Sequence, residues 1–215
     1  MRFDQARILL TDVPRRLPPA PAELTPTLLA ARDGGSRPTF PDGPRRSAAV
    51  LILIHPNADG EAALVLTERS AGGHRHAGQI SLPGGAIEEG DESVAAAALR
   101  EAYEEVGLDA VADGVVVAGV LPEFDVRVSN FIVQPVIAFA ERPPHLRADG
   151  YEVAAVLSAP LASFLPGSPI EMVTDERDGF GLRYGAYRVG DHMVWGATAH
   201  ILGRLGAYLG RAATG

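Results

Sequence analysis

Apolar positions fall into short blocks separated by turn residues, and their spacing changes from block to block. AAVLILIH, residues 48–55, is a compact β-branched run stopped by Pro56, and EAALVLTERS resumes the pattern after the turn NADG. The two predict antiparallel strands. SVAAAALREAYEEV carries helical spacing instead, with Val94, Ala98, Tyr103 and Val106 among its inward positions and Gly107 placed to end it. GVVVAGVL and FIVQPVIAFA predict further strands, the second interrupted by Pro135 and so assigned to an edge or a bulge. EVAAVLSAPLASFL predicts a strand or turn running into a short helix, and GLRYGAYRVGDHMVW a hairpin. TAHILGRLGAYLGRA predicts a closing helix with Ile201, Leu202, Leu205 and Leu209 on one face. Strands mixed with two strong helices imply an α/β sandwich.

The first part of the chain breaks this rhythm. Pro14, Pro18, Pro19, Pro21 and Pro26, followed by Pro38, Pro41 and Pro44, leave room only for a short helix near Phe3 to Leu10 and then an extended arm. Residues 1–46 are therefore expected to be a Pro/Arg-rich appendage packed on one core domain formed by residues 47–215.

Composition narrows the chemistry. A formal charge of -8 across 215 residues argues against a nucleic-acid binder, which would present a basic stripe to phosphates. With no Cys, disulfides, thiolate nucleophiles and Cys-ligated zinc are excluded. All 19 basic residues are Arg, which excludes Schiff-base lysine chemistry and leaves any phosphate clamp to Arg, His, backbone N–H groups or a metal. No apolar run reaches the roughly 18 to 20 residues of a membrane span, and the N-terminus lacks a secretory core. A soluble cytoplasmic protein, free of membrane, is the expectation.

Glu101, Glu104 and Glu105 crowd barely more than one turn of the predicted helix, where like charges repel. Hard cations such as Mg²⁺ or Mn²⁺ choose carboxylate oxygens and keep waters for substrate phosphates; a solvated acidic face partnered by Arg100 is the competing explanation. The wider spacing favours the metal. Glu92 lies eight residues before Arg100, and REAYEEVGL follows from Arg100 to Leu108, which resembles the second half of the box that defines Nudix hydrolases. The resemblance implies a Nudix-type α/β/α sandwich with a mixed β-sheet and a loop-helix-loop metal site. It also implies Mg²⁺ or Mn²⁺ as cofactor, with Glu101 and Glu105 as principal ligands and Glu104 as a further ligand or water-orienting base.

The first half of the box departs from the pattern. Its glycine normally stands six residues before the early glutamate, where this chain has Ala86; the glycine is Gly85, and one extra loop residue accounts for the shift. That insertion is a habit of the coenzyme A pyrophosphatase-like branch, whose upstream pattern is matched in spacing by Leu66-Thr67-Glu68-Arg69-Ser70, His74, Gly78 and Leu82-Pro83-Gly84-Gly85. His74 stands where the branch has Arg, with Arg75 beside it. Ser129-Asn130-Phe131 with Pro135, Glu152-Val153 and Trp195-Gly196 with Thr198-Ala199 are similar to later segments of that branch, Asn130 replacing a glycine. The resemblance runs from about Ser47 to Leu205.

What it implies is hydrolysis of the pyrophosphate of coenzyme A or acyl-CoA to (acyl-)4′-phosphopantetheine and adenosine 3′,5′-bisphosphate, a small-molecule substrate. Arg69 and Arg75 are candidates for phosphate contact, against the alternative of ordinary surface ion pairs. Gly84 and Gly85 shape the turn, with backbone approach to phosphate as a second role. Glu152 is either an additional metal ligand from outside the helix or a strand-end carboxylate facing water. Two other functions stay open: a Nudix pyrophosphatase for ADP-ribose, dinucleotides or nucleoside triphosphates, and a catalytically silent nucleotide-binding or regulatory module. The apolar closing helix and the arm are candidates for a homodimer interface.

Overall fold

The computed structural model describes residues 1–29, 41, 43–71, 78–177 and 180–213. In chain order the elements are α1 (Phe3–Leu9), β1 (Thr27–Leu28), β2 (Arg46–Pro56), β3 (Ala62–Arg69), β4 (Ile80–Ser81), β5 (Gly84–Ala86) and α2 (Val94–Val106). They continue with β6 (Val116–Val120), β7 (Phe124–Val126), β8 (Phe131–Phe139), β9 (Val153–Pro160), β10 (Ile170–Arg177), β11 (Phe180–Val189), β12 (His192–Val194) and α3 (Gly196–Ala212).

β2 is the axis of the larger, mixed sheet. On one side it runs parallel to β8, from Arg46 opposite Phe131 to Ile54 opposite Phe139. On the other side it pairs antiparallel twice: its last residues with β3, and Ala48 to Val50 with β5. β3 carries β9 and β4 antiparallel, and β6 and β7 pair in turn along β8. A smaller antiparallel sheet holds β1, β11 and β10, with β12 on β11.

Both faces of the mixed sheet are covered, so its central strands read as continuous apolar runs. Ala49, Leu51, Leu53 and Val65 pack with Ala97, Ala98, Ala102 and Val106 of α2. Ile52, Ile54, Leu64 and Leu66 point the other way, into a cluster with Phe3 and Ala6 of α1 and Leu202, Leu205 and Leu209 of α3. The result is an α/β/α sandwich with a mixed sheet. The closing helix spends its apolar face inside the chain: Ile201, Leu202, Leu205 and Leu209 are buried, Arg204 donates to the Pro18 carbonyl of the arm, and buried Leu24 lies against Gly203. No helix among the described residues is long and apolar enough to cross a membrane.

Two local expectations are corrected. Tyr103 points outward at 64% exposure, and the inward positions of α2 are taken by Ala102 and Glu105. Pro135 sits in a central strand, not at an edge. Its carbonyl accepts from Leu121 N–H, so its missing donor faces the interval where β6 has ended and β7 has not begun. A proline costs no ladder bond there.

Asn130 is the one non-glycine with positive φ among the described residues, at 59°. Asparagine tolerates the left-handed region, and the Asn130 side chain donates to the Pro44 carbonyl. That fixes the corner from which β8 starts.

Candidate active site

The site is built where β5 enters the sheet beside α2. Leu51 N–H donates to Pro83 O, and Gly84 adopts φ +149° opposite Val50. A Cβ at Gly84 would run into the Ala49 carbonyl oxygen and lie 2.6 Å from Val50 Cα, and one at Gly85 would lie 2.5 Å from the Glu101 carboxylate. Glycine at both positions lets the turn lie flat between β2 and the acidic face of α2. Helix α2 is fixed at both ends, since Ser93 Oγ accepts Ala96 N–H at 3.1 Å and Gly107 closes the helix at φ 68°.

Glu105 is only 7% exposed, and one of its oxygens accepts Gly84 N–H at 3.0 Å. Burial pushes its carboxyl up to about 7; the Gly84 hydrogen bond and the charge of Arg69 oppose the shift, while Glu101 and Glu152 add to it. Glu101 is also raised, first by burial and further by Glu104 and Glu152, against the pull of Arg100. The charge of Glu152 thus acts on both Glu101 and Glu105, although it arises from a separate segment. Glu152 is an exposed residue placed by backbone: its N–H donates to Asp149, and its carbonyl accepts Ser70 N–H at the irregular end of β3. The same irregularity brings half-buried Arg69 to the site. Arg75, with His74 and His76, lies outside the described residues.

Arg100 is the hub of the acidic face. Its Nε and Nη2 each donate to Asp91 at 3.0 Å, and Nη2 also donates to the Ala86 carbonyl at 3.0 Å. Its Nη1 reaches Glu101 at 3.0 Å and Glu104 at 3.3 Å. The guanidinium is held above its ordinary pKa, and Asp91 below its own, by their shared hydrogen bonds.

Asp91 is the residue sequence reasoning missed. The spacing to Arg100 points to Glu92 as the early acid of the box; Glu92 is exposed, and the ion pairs of Arg100 run to Asp91, Glu101 and Glu104. The signal was present, because Asp91 stands six residues after Gly85, the normal glycine-to-acid interval.

Comparison with known proteins agrees with this architecture. The family model described as NUDIX domain matches residues 44–157. The chain belongs to the Nudix family. Its Nudix relatives include a protein of Citrobacter koseri named Uncharacterized Nudix hydrolase NudL, 40% identical over 166 residues that cover 77% of this chain and 84% of the relative. A protein of the same name from Enterobacter sp. is 39% identical over 167 residues, with the same coverage. Among solved structures, a MutT/nudix family protein from Enterococcus faecalis matches 79% of this chain and 63% of its own at a TM-score of 0.50 and 18% identity, a likeness of fold.

Among the described residues no three acidic or histidine side chains already meet around one point as a metal cage. The donor set nevertheless fits a hard divalent cation. A nearly buried Glu105 rests on one backbone N–H, its neighbours Glu101 and Glu152 raise its cost, and Glu101 and Glu104 lean on the same guanidinium nitrogen. The four carboxylates outnumber Arg69 and Arg100, and the donors they offer are oxygens.

Proposed function

We propose that this Nudix protein is a divalent-cation-dependent pyrophosphohydrolase that cleaves coenzyme A or an acyl-CoA. The observation that carries the hydrolase reading is the approach of Glu105 and Glu101 to the Gly84–Gly85 turn, with the charges of Glu104 and Glu152 acting on Glu101 and that of Arg69 on Glu105. The substrate reading is supported by the residue spacing from Leu66 to Gly85; Arg69 stands at the end of β3, which pairs with β2 as β5 does.

A pyrophosphate is anionic and repels the water that must attack it, so the site has to neutralise its oxygens and present water in line. Mg²⁺ or Mn²⁺, when bound, supplies that neutralisation and lowers the pKa of water. Glu101 and Glu105 are the principal ligands, and Glu152 is the candidate ligand from outside the helix. Glu104, half-exposed at the solvent side of α2, is placed to ligate or to orient the attacking water. Arg69 and Arg75 take phosphate oxygens. Water adds across one P–O–P link, leaving (acyl-)4′-phosphopantetheine and adenosine 3′,5′-bisphosphate.

Incubation of the purified protein with Mg²⁺ or Mn²⁺ and a panel of coenzyme A, acyl-CoA, ADP-ribose and NADH, with products resolved, tests the proposal. The expected result is release of adenosine 3′,5′-bisphosphate, abolished by chelation and reduced at least about 100-fold in Glu105→Gln. Selective cleavage of ADP-ribose would sink the substrate assignment. Absence of turnover on every phosphate anhydride would favour a silent binding module.

A further inference from the structure

We infer that Asp149 is a positioning residue of the metal site: it locks the segment of Glu152 onto the C-terminal turn of α2, which carries Glu105. The inference rests on the reading of Glu152 as the metal ligand from outside the helix and is independent of which diphosphate is cleaved.

A helix leaves its last carbonyls without partners of its own. At the end of α2 the segment after β8 returns to supply them: Arg147 N–H donates to the Val106 carbonyl at 2.9 Å and Asp149 N–H to the Glu105 carbonyl at 3.0 Å. The carboxylate of the same Asp149 reaches forward. Its Oδ1 accepts the N–H groups of Tyr151 at 3.1 Å, Glu152 at 3.1 Å and Val153 at 2.8 Å, and its Oδ2 accepts Glu152 N–H at 3.1 Å. A short carboxylate suits this role, since it can bond the backbone a few residues further along its own chain. One residue therefore holds the helix with its backbone and the start of β9 with its side chain.

Glu152 depends on that hold. Its carbonyl accepts Ser70 N–H at 2.9 Å, and the Ser70 hydroxyl donates to the Tyr151 carbonyl. Backbone bonds on both sides thus fix where the Glu152 side chain starts, although the residue itself is exposed. Ligands drawn from two segments bind a cation well only when the separation of those segments is already set, because any slack has to be removed on binding. Without the Asp149 carboxylate the N–H groups of Tyr151, Glu152 and Val153 lose a shared acceptor. The freedom gained at Glu152 then opposes cation binding.

The test uses the full-length protein, stripped of metal and titrated with Mn²⁺, the free ion being followed by electron paramagnetic resonance. Glu152→Gln is expected to weaken Mn²⁺ binding at least about tenfold, as the loss of a charged ligand, and Asp149→Ala about tenfold. Added to Glu152→Gln, Asp149→Ala is expected to cost less than about twofold more, because the carboxylate it positions is already gone. Asp149→Asn keeps an acceptor oxygen in place and should lose less than about threefold, whereas Asp149→Glu keeps the charge but misplaces it and should lose about fivefold. Wild-type affinity in Asp149→Ala, or its full tenfold loss on top of Glu152→Gln, would overturn the inference. If Asp149→Ala does not fold, the other two variants decide: affinity in Asp149→Glu equal to or above that in Asp149→Asn overturns it. Unchanged affinity in Glu152→Gln would sink the outer-ligand reading and this inference together, whereas a weakened Glu152→Gln beside an unaffected Asp149→Ala would sink the inference alone. A wild-type protein that takes up no Mn²⁺ would overturn both this inference and the metal platform.

Discussion

Glu105 illustrates how a single residue joins folding to function. Its carboxyl is buried against the β5 turn and pushed from an ordinary 4.5 up to about 7. Between those values the unfolded chain has lost the proton and the folded chain keeps it, so the folded state binds more protons and stability falls as pH rises through this window. In the presence of a chelator, thermal unfolding should show stability declining by on the order of 3 kcal/mol from about pH 4.5 to pH 7 and levelling above it. Glu105→Gln should flatten most of that slope, and an unchanged slope would locate the buried charge elsewhere. Mn²⁺ should restore stability at high pH, since it binds the ionised, folded form. The two glycines beside Glu105 separate folding from chemistry. Gly84→Ala forces a Cβ into β2 backbone and should cost about 3 kcal/mol in denaturant unfolding. Gly85→Ala meets only the end of the Glu101 side chain, so it should unfold near wild type yet lose activity by at least about tenfold.

At the scale of elements, α2 was legible almost to its ends, because both its apolar spacing and its caps are local. Ser93 and Gly107 fix its limits, and Ser93→Ala should lower stability by about 1 kcal/mol in chemical denaturation. What spacing did not reveal was which side of α2 holds the charge. A helical wheel places Tyr103 inward by its apolar character, yet the narrow space over Ala49 and Leu51 accepts Ala97, Ala98 and Ala102, and Glu105 enters beside them because Gly84 offers it an N–H. β5 was equally hidden, since LPGGA reads as a turn and becomes a strand only where β2 leaves an edge for it. α3 depends on a similar close approach. A Cβ at Gly206 would overlap the carbonyl of Phe164, so Gly206→Ala should lower Tm markedly, with a loss of about 3 kcal/mol.

The whole molecule is a two-sided sheet whose helical layers come from distant parts of the chain. Phe3, Leu10 and Leu24 of the first 29 residues are buried in the same cluster as Leu202 and Leu205 of α3. Removing residues 1–26 should therefore destabilise the protein by about 5 kcal/mol or more, detectable as loss of cooperative unfolding. The sequence by itself determined the short-range matters: where α2, α3 and the strands β2, β3 and β8 lie, the αL stop at Gly107, and the register that joins Arg100, Glu101, Glu104 and Glu105. Each depends on neighbours within a few residues, so side-chain periodicity and backbone preference suffice. Only the tertiary structure decided that β2 lies parallel to β8, that Pro135 occupies a central strand, that Arg69 and Glu152 adjoin the helix carboxylates, and that Asp91 rather than Glu92 holds Arg100. Those outcomes follow from pairing and burial between segments far apart in the chain, where a charge is assigned its partner by distance in space rather than by position in sequence.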